Sequence, residues 1–361
     1  MVFKKETRVK FSLFVREGEM KHTYTNIKPK IRVIYCLIFA AVFFICGCQN
    51  TSVTPFASPP DIPVKHLVGQ AVEIIEASLA DEDPVIRANA IEVIAAARQI
   101  KMMPKVQRML KDNSVLVRFA AIVAIGDMEH SLAKSDVEQL LNDSNENIRI
   151  AAAYALKKLN PSRDIDPLRK AITSQDQTVR ANAVWLAGKC GGQDDLKLLY
   201  WALQNRDSGE KVRFVAVEAI AALHDERIYP KILSILQSGY NDDRVIGIKA
   251  MGALGTQNAI DAIITKLDDH VPEVRLAAAE QLGALGNKTG EPEVLDVFTK
   301  NLTAGVDQDD AERIRFRTVL AIGRICTPSL TRFLPQFLKE PSKSIRLAAA
   351  QAVLQCAGKR K

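Results

Sequence analysis

The sequence predicts an all-α fold, a solenoid of about nine stacked helix pairs running from residue 65 to residue 357. Three observations predict it. Ala, Leu, Ile and Val are plentiful while aromatic residues make up only 6% of the chain, a balance that suits packed helices over sandwiches or barrels. A short pattern returns along most of the length: a β-branched residue, then Arg, then an Ala-rich apolar stretch often closed by Gly. A residue able to cap a helix stands three positions before most copies.

The first 47 residues stand apart. They hold nine cations and three acids, so the 49 Lys+Arg and 42 Asp+Glu of the whole chain leave 40 against 39 in the body. A body that close to neutral carries no general footprint for phosphate backbones, which argues against nucleic acid as a partner. Within those residues a cationic stretch ends at Arg32, an apolar run follows from Val33 to Ile45, and Ile45-Cys46-Gly47-Cys48 closes it. These are the three regions of a signal peptide. The run is too short for a comfortable membrane span, which needs about 20 apolar residues. Met20 is an alternative start, with residues 1–19 an over-extension. Residues 48–64 are rich in Ser, Thr and Pro and read as a disordered tether that spans roughly 50 Å when extended. Residues 358–361 read as a solvated basic tail.

The repeated pair is found at Ile86-Arg87, Val117-Arg118, Ile148-Arg149, Val179-Arg180, Val212-Arg213, Val274-Arg275, Ile314-Arg315 and Ile345-Arg346. A degenerate copy without its arginine is placed at Ile246-Gly247. The first four copies are evenly spaced, and the later intervals vary around that step, with the widest between Val274 and Ile314. Each copy fits two antiparallel helices. The first ends in an apolar pair such as Met109-Leu110, Leu140-Leu141 or Ile235-Leu236, and the second starts at Asp83, Ser114, Asn145, Asp176, Asp243 or Ser342. The arginine lies in the first turn, where the helix dipole disfavours a cation by about 0.3–1 kcal/mol. Asp81, Asp112, Asp143, Asp207, Asp269 and Asp309, five residues before the β-branched position, are the expected partners in a ladder that links neighbouring repeats.

This pattern resembles the HEAT repeat, in the short variety of phycobilisome lyase subunits and many bacterial proteins, over roughly residues 65–357. The resemblance implies a right-handed α-solenoid. It constrains function weakly, since the family includes scaffolds, bilin lyases, an iron hydroxylase and DNA glycosylases. Ile45-Cys46-Gly47-Cys48 resembles a bacterial lipobox, which implies that Cys48 is lipidated and becomes the mature N-terminus. Gln49 after it resembles the exported case. The expected location is therefore extracytoplasmic, on a bacterial membrane and by preference the outer one.

Motifs for chemistry are sparse. The family's iron hydroxylase binds metal through His-Glu pairs, and here no His precedes Glu. His66, His130, His224 and His270 lie far apart and read as solvated residues. Cys190, Cys326 and Cys356 form no close pairs and read as buried thiols. The wide interval before Ile314 marks an insertion near residues 303–312, whose Asp307, Asp309 and Asp310 read as a solvated acidic loop. No catalytic residue, cofactor, metal or small-molecule substrate is expected.

Stacking brings equivalent positions together. Offsets three, six and ten from the β-branched residue share one helix face and are expected to form an exposed concave wall. At offset six Val123, Tyr154 and Trp185 fall side by side, framed by Lys158, Lys189 and Asn182. Aromatic residues beside cations are favoured interface anchors. The expected function is a non-enzymatic, membrane-anchored scaffold that binds a protein through this concave patch; the alternative is a cofactor-handling enzyme similar to the bilin lyases. Tyr200 and Trp201, on a first helix, are expected to pack.

Overall fold

The computed structural model of the protein describes residues 62–163 and 166–359. The signal segment, Cys48, nearly all of the tether, and Arg360 and Lys361 lie outside the described residues. The helices, in chain order, are α1 (Val68–Leu79), α2 (Pro84–Ala96), α3 (Met103–Arg108), α4 (Val115–Asp127), α5 (Lys134–Gln139), α6 (Glu146–Leu159), α7 (Asp166–Ala171), α8 (Gln177–Cys190) and α9 (Gln193–Gln204). They continue with α10 (Glu210–Ala222), α11 (Tyr229–Leu236), α12 (Asn241–Leu254), α13 (Gln257–Ile264), α14 (Pro272–Ala284), α15 (Glu291–Thr299), α16 (Gln308–Ile325), α17 (Pro328–Thr331), α18 (Leu334–Phe337) and α19 (Lys343–Gly358). The described residues contain no strand.

Helix starts follow the capping chemistry in most repeats. Asp83 accepts from the Val85 amide at 2.8 Å with Pro84 in the first turn, and Asp176 accepts from the amides of Thr178 and Val179 at 2.7 and 3.2 Å. Asn145 and Ser342 cap α6 and α19 in the same way. Two expected caps differ. The Ser114 side chain makes no cap bond, and its own amide donates to Asp112 at 2.8 Å. Asp243 lies inside α12, which begins at Asn241, and accepts from the Ser238 hydroxyl at 2.7 Å.

That shift at Asp243 corrects the repeat frame. Arg87 donates through Nη1 to the carbonyl of Asp81, six residues back, and through Nε and Nη2 to the carboxylate of Asp112 in the next repeat. Arg244 makes the same two sets of contacts, with the Ser238 carbonyl six residues back and with Asp269 in the next repeat, both at 3.0 Å. It is therefore the recurring arginine, and the degenerate copy is Asp243-Arg244, not Ile246-Gly247. The step from Val212 to Asp243 and the step from Asp243 to Val274 then both equal the even spacing of the first four copies. An aspartate stands where the other copies have a β-branched residue, which concealed the match.

The ladder itself is uneven. Arg87–Asp112 and Arg244–Asp269 are close pairs at 2.9 Å, and Arg118–Asp143 is looser at 3.8 Å. Asp207 and Asp309 do not take the expected part. The buried Arg180 reaches the Ser174 carbonyl at 2.8 Å and the Ser208 hydroxyl at 3.5 Å, and Arg275 pairs with Glu293 at 2.9 Å. Asp309 lies in the first turn of α16, where the insertion has lengthened the helix and Asp307 caps it by accepting from the Asp310 amide at 2.8 Å.

The second helices α2, α4, α6, α8, α10, α12, α14, α16 and α19 form an inner layer in which each packs on the next. Their glycines allow close approach: a Cβ on Gly188 would fall 2.6 Å from the Cβ of Ala219, and one on Gly323 would fall 2.9 Å from the Cα of Ala352. The first helices lie outside, most of them set between two inner helices, as α9 lies between α8 and α10. One continuous apolar core fills the space between the layers.

The array does not end open. α19 packs on α16 behind it and also on α1 and α2, so that α1 sits between α19 and α2 as α9 sits between α8 and α10. Lys343 at the start of α19 pairs with Asp81 of the first repeat at 2.7 Å, giving that aspartate the inter-repeat cation that Asp112 receives from Arg87. The nine inner helices thus close a ring. At about 9 Å between neighbours the axes of nine helices in a ring lie ~13 Å from its centre, and the side chains of the wall project into the lumen between them.

Candidate functional site

Two surfaces qualify by geometry: the wall of the lumen and a cleft on the outside of the ring. Contacts that skip a repeat identify the wall, because helices two places apart meet only on the concave side. Lys189 of α8 pairs with Asp127 of α4 at 3.0 Å, Trp185 of α8 stacks on Phe119 of α4 with ring centroids 6.2 Å apart, and Arg313 of α16 pairs with Asp242 of α12 at 3.0 Å.

These contacts change the expected patch. The Lys189–Asp127 and Trp185–Phe119 pairs join the helices on either side of α6 and roof it. Beneath them Tyr154 is 1% exposed and donates its hydroxyl to Asp127; burial and the adjacent carboxylate both push its phenol well above the ordinary range. Val123 and Asn182 are also buried, Asn182 donating to Asn147 at 2.8 Å. None of these three presents an accessible side chain to a partner. Trp185, Lys158 and Lys189 remain half-exposed, with the Lys189 ammonium 5.2 Å from the Trp185 ring centroid.

The opposite sector was missed in the sequence because the misplaced frame put Gly252 at offset six. With the frame corrected, offset six carries Glu218, Lys249 and Glu280 in successive repeats. Arg313 also pairs with Glu273 at 2.6 Å, and Arg317 reaches Glu280 at 3.4 Å and Glu273 at 3.7 Å. Desolvation inside the ring sets the charge states. Burial pushes the Glu92 carboxyl up to about 7 against a weaker opposing pull from Lys189, and raises Glu218 against Lys249. It lowers Lys249, an effect to which Arg317 adds and which Glu218, Glu280 and Glu273 oppose. Much of the wall's charge is engaged with other parts of the wall.

The outer cleft has a volume of 840 Å³. Tyr200 and Leu203 of α9 form one side, Lys231 and Ile235 of α11 the other, and Phe214 and Val217 of α10 the floor. It is open because α11 is only eight residues long and packs chiefly on α12, leaving α10 partly uncovered. A second cleft of 390 Å³ lies between α11 and α13. Tyr200 is half-buried and Trp201, expected to pack, is 40% exposed. The cleft belongs to the fifth and sixth repeats, nearly half-way round the ring from α1.

Cys326 and Cys356, read from the sequence as buried thiols, form a disulfide between successive inner helices, with Cα atoms 5.3 Å apart. Cys190 is free, and burial pushes its thiol up to about 11. His130 and His224 each have a hydrogen-bond partner, Gln107 and the Leu254 carbonyl. Among the described residues no three His, Cys, Asp or Glu side chains converge as a metal site would require, and no helix is long and apolar enough to cross a membrane.

A family profile for HEAT repeats matches residues 71–157, 106–182, 136–221, 165–246 and 229–309. This chain belongs to the HEAT-repeat family. Among solved structures it is similar to human deoxyhypusine hydroxylase, at 16% identity over 74% of this chain and 98% of that one, with a TM-score of 0.37. It is also similar to the CpcE–CpcF complex of phycocyanin lyase from Nostoc sp. PCC7120, at 17% identity over 69% and 97%, with a TM-score of 0.41. Kap121p aligns at 13% identity over 80% of this chain and 37% of its own, with a TM-score of 0.33. Each likeness concerns the repeat fold alone. No curated protein sequence matches the chain.

Proposed function

We propose that this HEAT ring is a non-enzymatic scaffold, tethered to the extracytoplasmic face of a bacterial membrane through Cys48, that recruits a protein partner. The observation that carries the reading is the outer cleft, in which the half-buried Phe214 is left partly uncovered because α11 packs on α12 and away from α10. Trp201 on the adjacent helix adds an exposed aromatic side chain of the kind that anchors interfaces. The lumen is too narrow for a folded partner, so recruitment falls to the outside, and the half-exposed Trp185, Lys158 and Lys189 are left to an extended segment. The disulfide supports a location outside the cytoplasm, since such bonds persist in oxidising compartments. The sector that bears the cleft faces away from α1, into which the tether leads.

Two measurements test this. Replacing Cys48 by Ala should move the protein from the membrane to the soluble fraction; unchanged fractionation removes the anchor. Crosslinking in intact cells, followed by mass spectrometry, should recover a partner at residues 200–238, and Phe214→Glu should abolish that adduct while leaving helicity intact. Adducts that persist in the variant remove the cleft as the binding surface.

A further inference from the structure

We infer that the Cys326–Cys356 disulfide is a redox clasp that decides whether the ring is closed. Eight of the nine junctions between inner helices are spanned by the chain itself, and the ninth, where α19 meets α1 and α2, is held by side chains alone. α19 is the wall shared by that junction and the one before it. Its N-terminal end is fixed by the chain, by Lys343 on Asp81 at 2.7 Å, and by the Ser342 hydroxyl donating to Glu312 at 2.6 Å. Its C-terminal end is held to α16 covalently by the disulfide, and besides it by Lys359 donating to the Arg324 carbonyl and by Ala352 packing at Gly323.

Cys326 caps α16 and Cys356 lies near the end of α19, one helical level from where Gly323 approaches Ala352. With the bond intact, α19 is pinned at both ends against α16 and presents its other side to α1. With the bond broken, the C-terminal end of this 16-residue helix keeps only noncovalent contacts with α16, and α19 opens away from α1 and α2 more readily than the rest of the array unfolds. The loop closed by the bond has a sequence separation of 30 residues, and by chain entropy its loss favours openings that melt this last repeat on the order of 10²- to 10³-fold.

Both cysteines are half-exposed, within reach of a dithiol reductant. Thiolate attack on one sulfur breaks the S–S bond and forms a mixed disulfide, which the second thiol of the reductant resolves. Two electrons and two protons pass to Cys326 and Cys356, and the reductant leaves as its own disulfide. The inference is independent of what the outer cleft binds.

Hydrogen exchange of the folded protein, oxidised and after dithiothreitol treatment confirmed by a mass gain of two hydrogen atoms, tests it. In the reduced form the amides of α1 and α19 should exchange about tenfold faster or more, while those of α8 to α10 keep their rates; reoxidation should restore protection. If only peptides beside the two cysteines change, the bond is a local staple. If α8 to α10 also lose protection, it supports the whole fold. Either result overturns the clasp. Lys343→Glu in the oxidised protein supplies a second measurement: like charges at Asp81 should accelerate exchange in α1 more than in α10, and equal rates would count against a seam held at that pair.

Discussion

Replacing Arg244 by Leu tests both the corrected repeat frame and the energetics of the ladder. Arg244 and Asp269 are each 6% exposed and meet at 2.9 and 3.0 Å through two nitrogens, whereas Arg118 and Asp143 are 18% and 15% exposed and meet at 3.8 Å. Both arginines also donate to a turn carbonyl six residues back, a loss common to the two variants, and Arg118 has a further, longer bond to the Asn113 carbonyl at 3.2 Å that narrows the difference slightly. Removing one member of a buried pair costs about 3–5 kcal/mol because the other charge is stranded. Asp269 keeps the Val271 amide at 3.0 Å, which places Arg244→Leu at the low end, ~3 kcal/mol. Arg118→Leu breaks a more exposed, longer pair and should cost about 1 kcal/mol. The expected difference of ~2 kcal/mol is read from urea unfolding followed by circular dichroism at neutral pH.

The pH dependence supplies a sign. Burial tends to raise the Asp269 carboxyl, but the Val271 amide and Arg244 together outweigh it and hold the group below its ordinary value of 3.8. A carboxyl depressed in the folded state contributes stability above its unfolded pKa and loses that contribution as pH falls through the folded value. The gap between wild type and Arg244→Leu should therefore be full at neutral pH and shrink below about pH 4. Equal costs for Arg244→Leu and Arg118→Leu at neutral pH would refute the assignment of Arg244 to the ladder.

Two further outcomes follow from packing and burial. Gly188→Val drives a side chain into Ala219 across the closest approach of α8 and α10 and should cost about 1–3 kcal/mol or more, while Gly239→Ala, with nothing within 4 Å of its Cβ, should fall within about 0.5 kcal/mol of wild type; similar melting temperatures for the two would refute the packing. The Glu92 carboxyl is raised to about 7 by burial, so its protonated form is favoured in the fold and stability declines as pH rises from the unfolded value through about 7. Glu92→Gln should lack that decline, and its melting temperature relative to wild type should rise between pH 5 and pH 8; a constant difference would show that Glu92 titrates normally.

Several features of the site were within reach of sequence reasoning. Cys326 and Cys356 occupy offsets 12 and 11 of neighbouring repeats, the same level on adjacent inner helices, and that coincidence was a usable signal for the disulfide. Lys249 would have joined Glu218 and Glu280 had the even step of the first copies been allowed to override the need for a β-branched residue at position 243. The burial of Tyr154 had no such signal. It depends on Lys189 and Trp185 reaching α4 from α8, contacts that exist only because the inner layer is tightly curved.

The sequence alone determined the all-α class, the helix pairs, most of their caps, and which face of each second helix turns inward, because these depend on local periodicity and on neighbours a few residues away. It did not determine closure. Nine repeats form a ring only when each turns about 40° relative to the last, and that angle is set by the side chains wedged between helices, such as Ala219 against Gly188. A few degrees per junction, accumulated nine times, separates an open superhelix from a ring. Only the assembled tertiary structure, in which α19 meets α1 and Lys343 meets Asp81, decides between them.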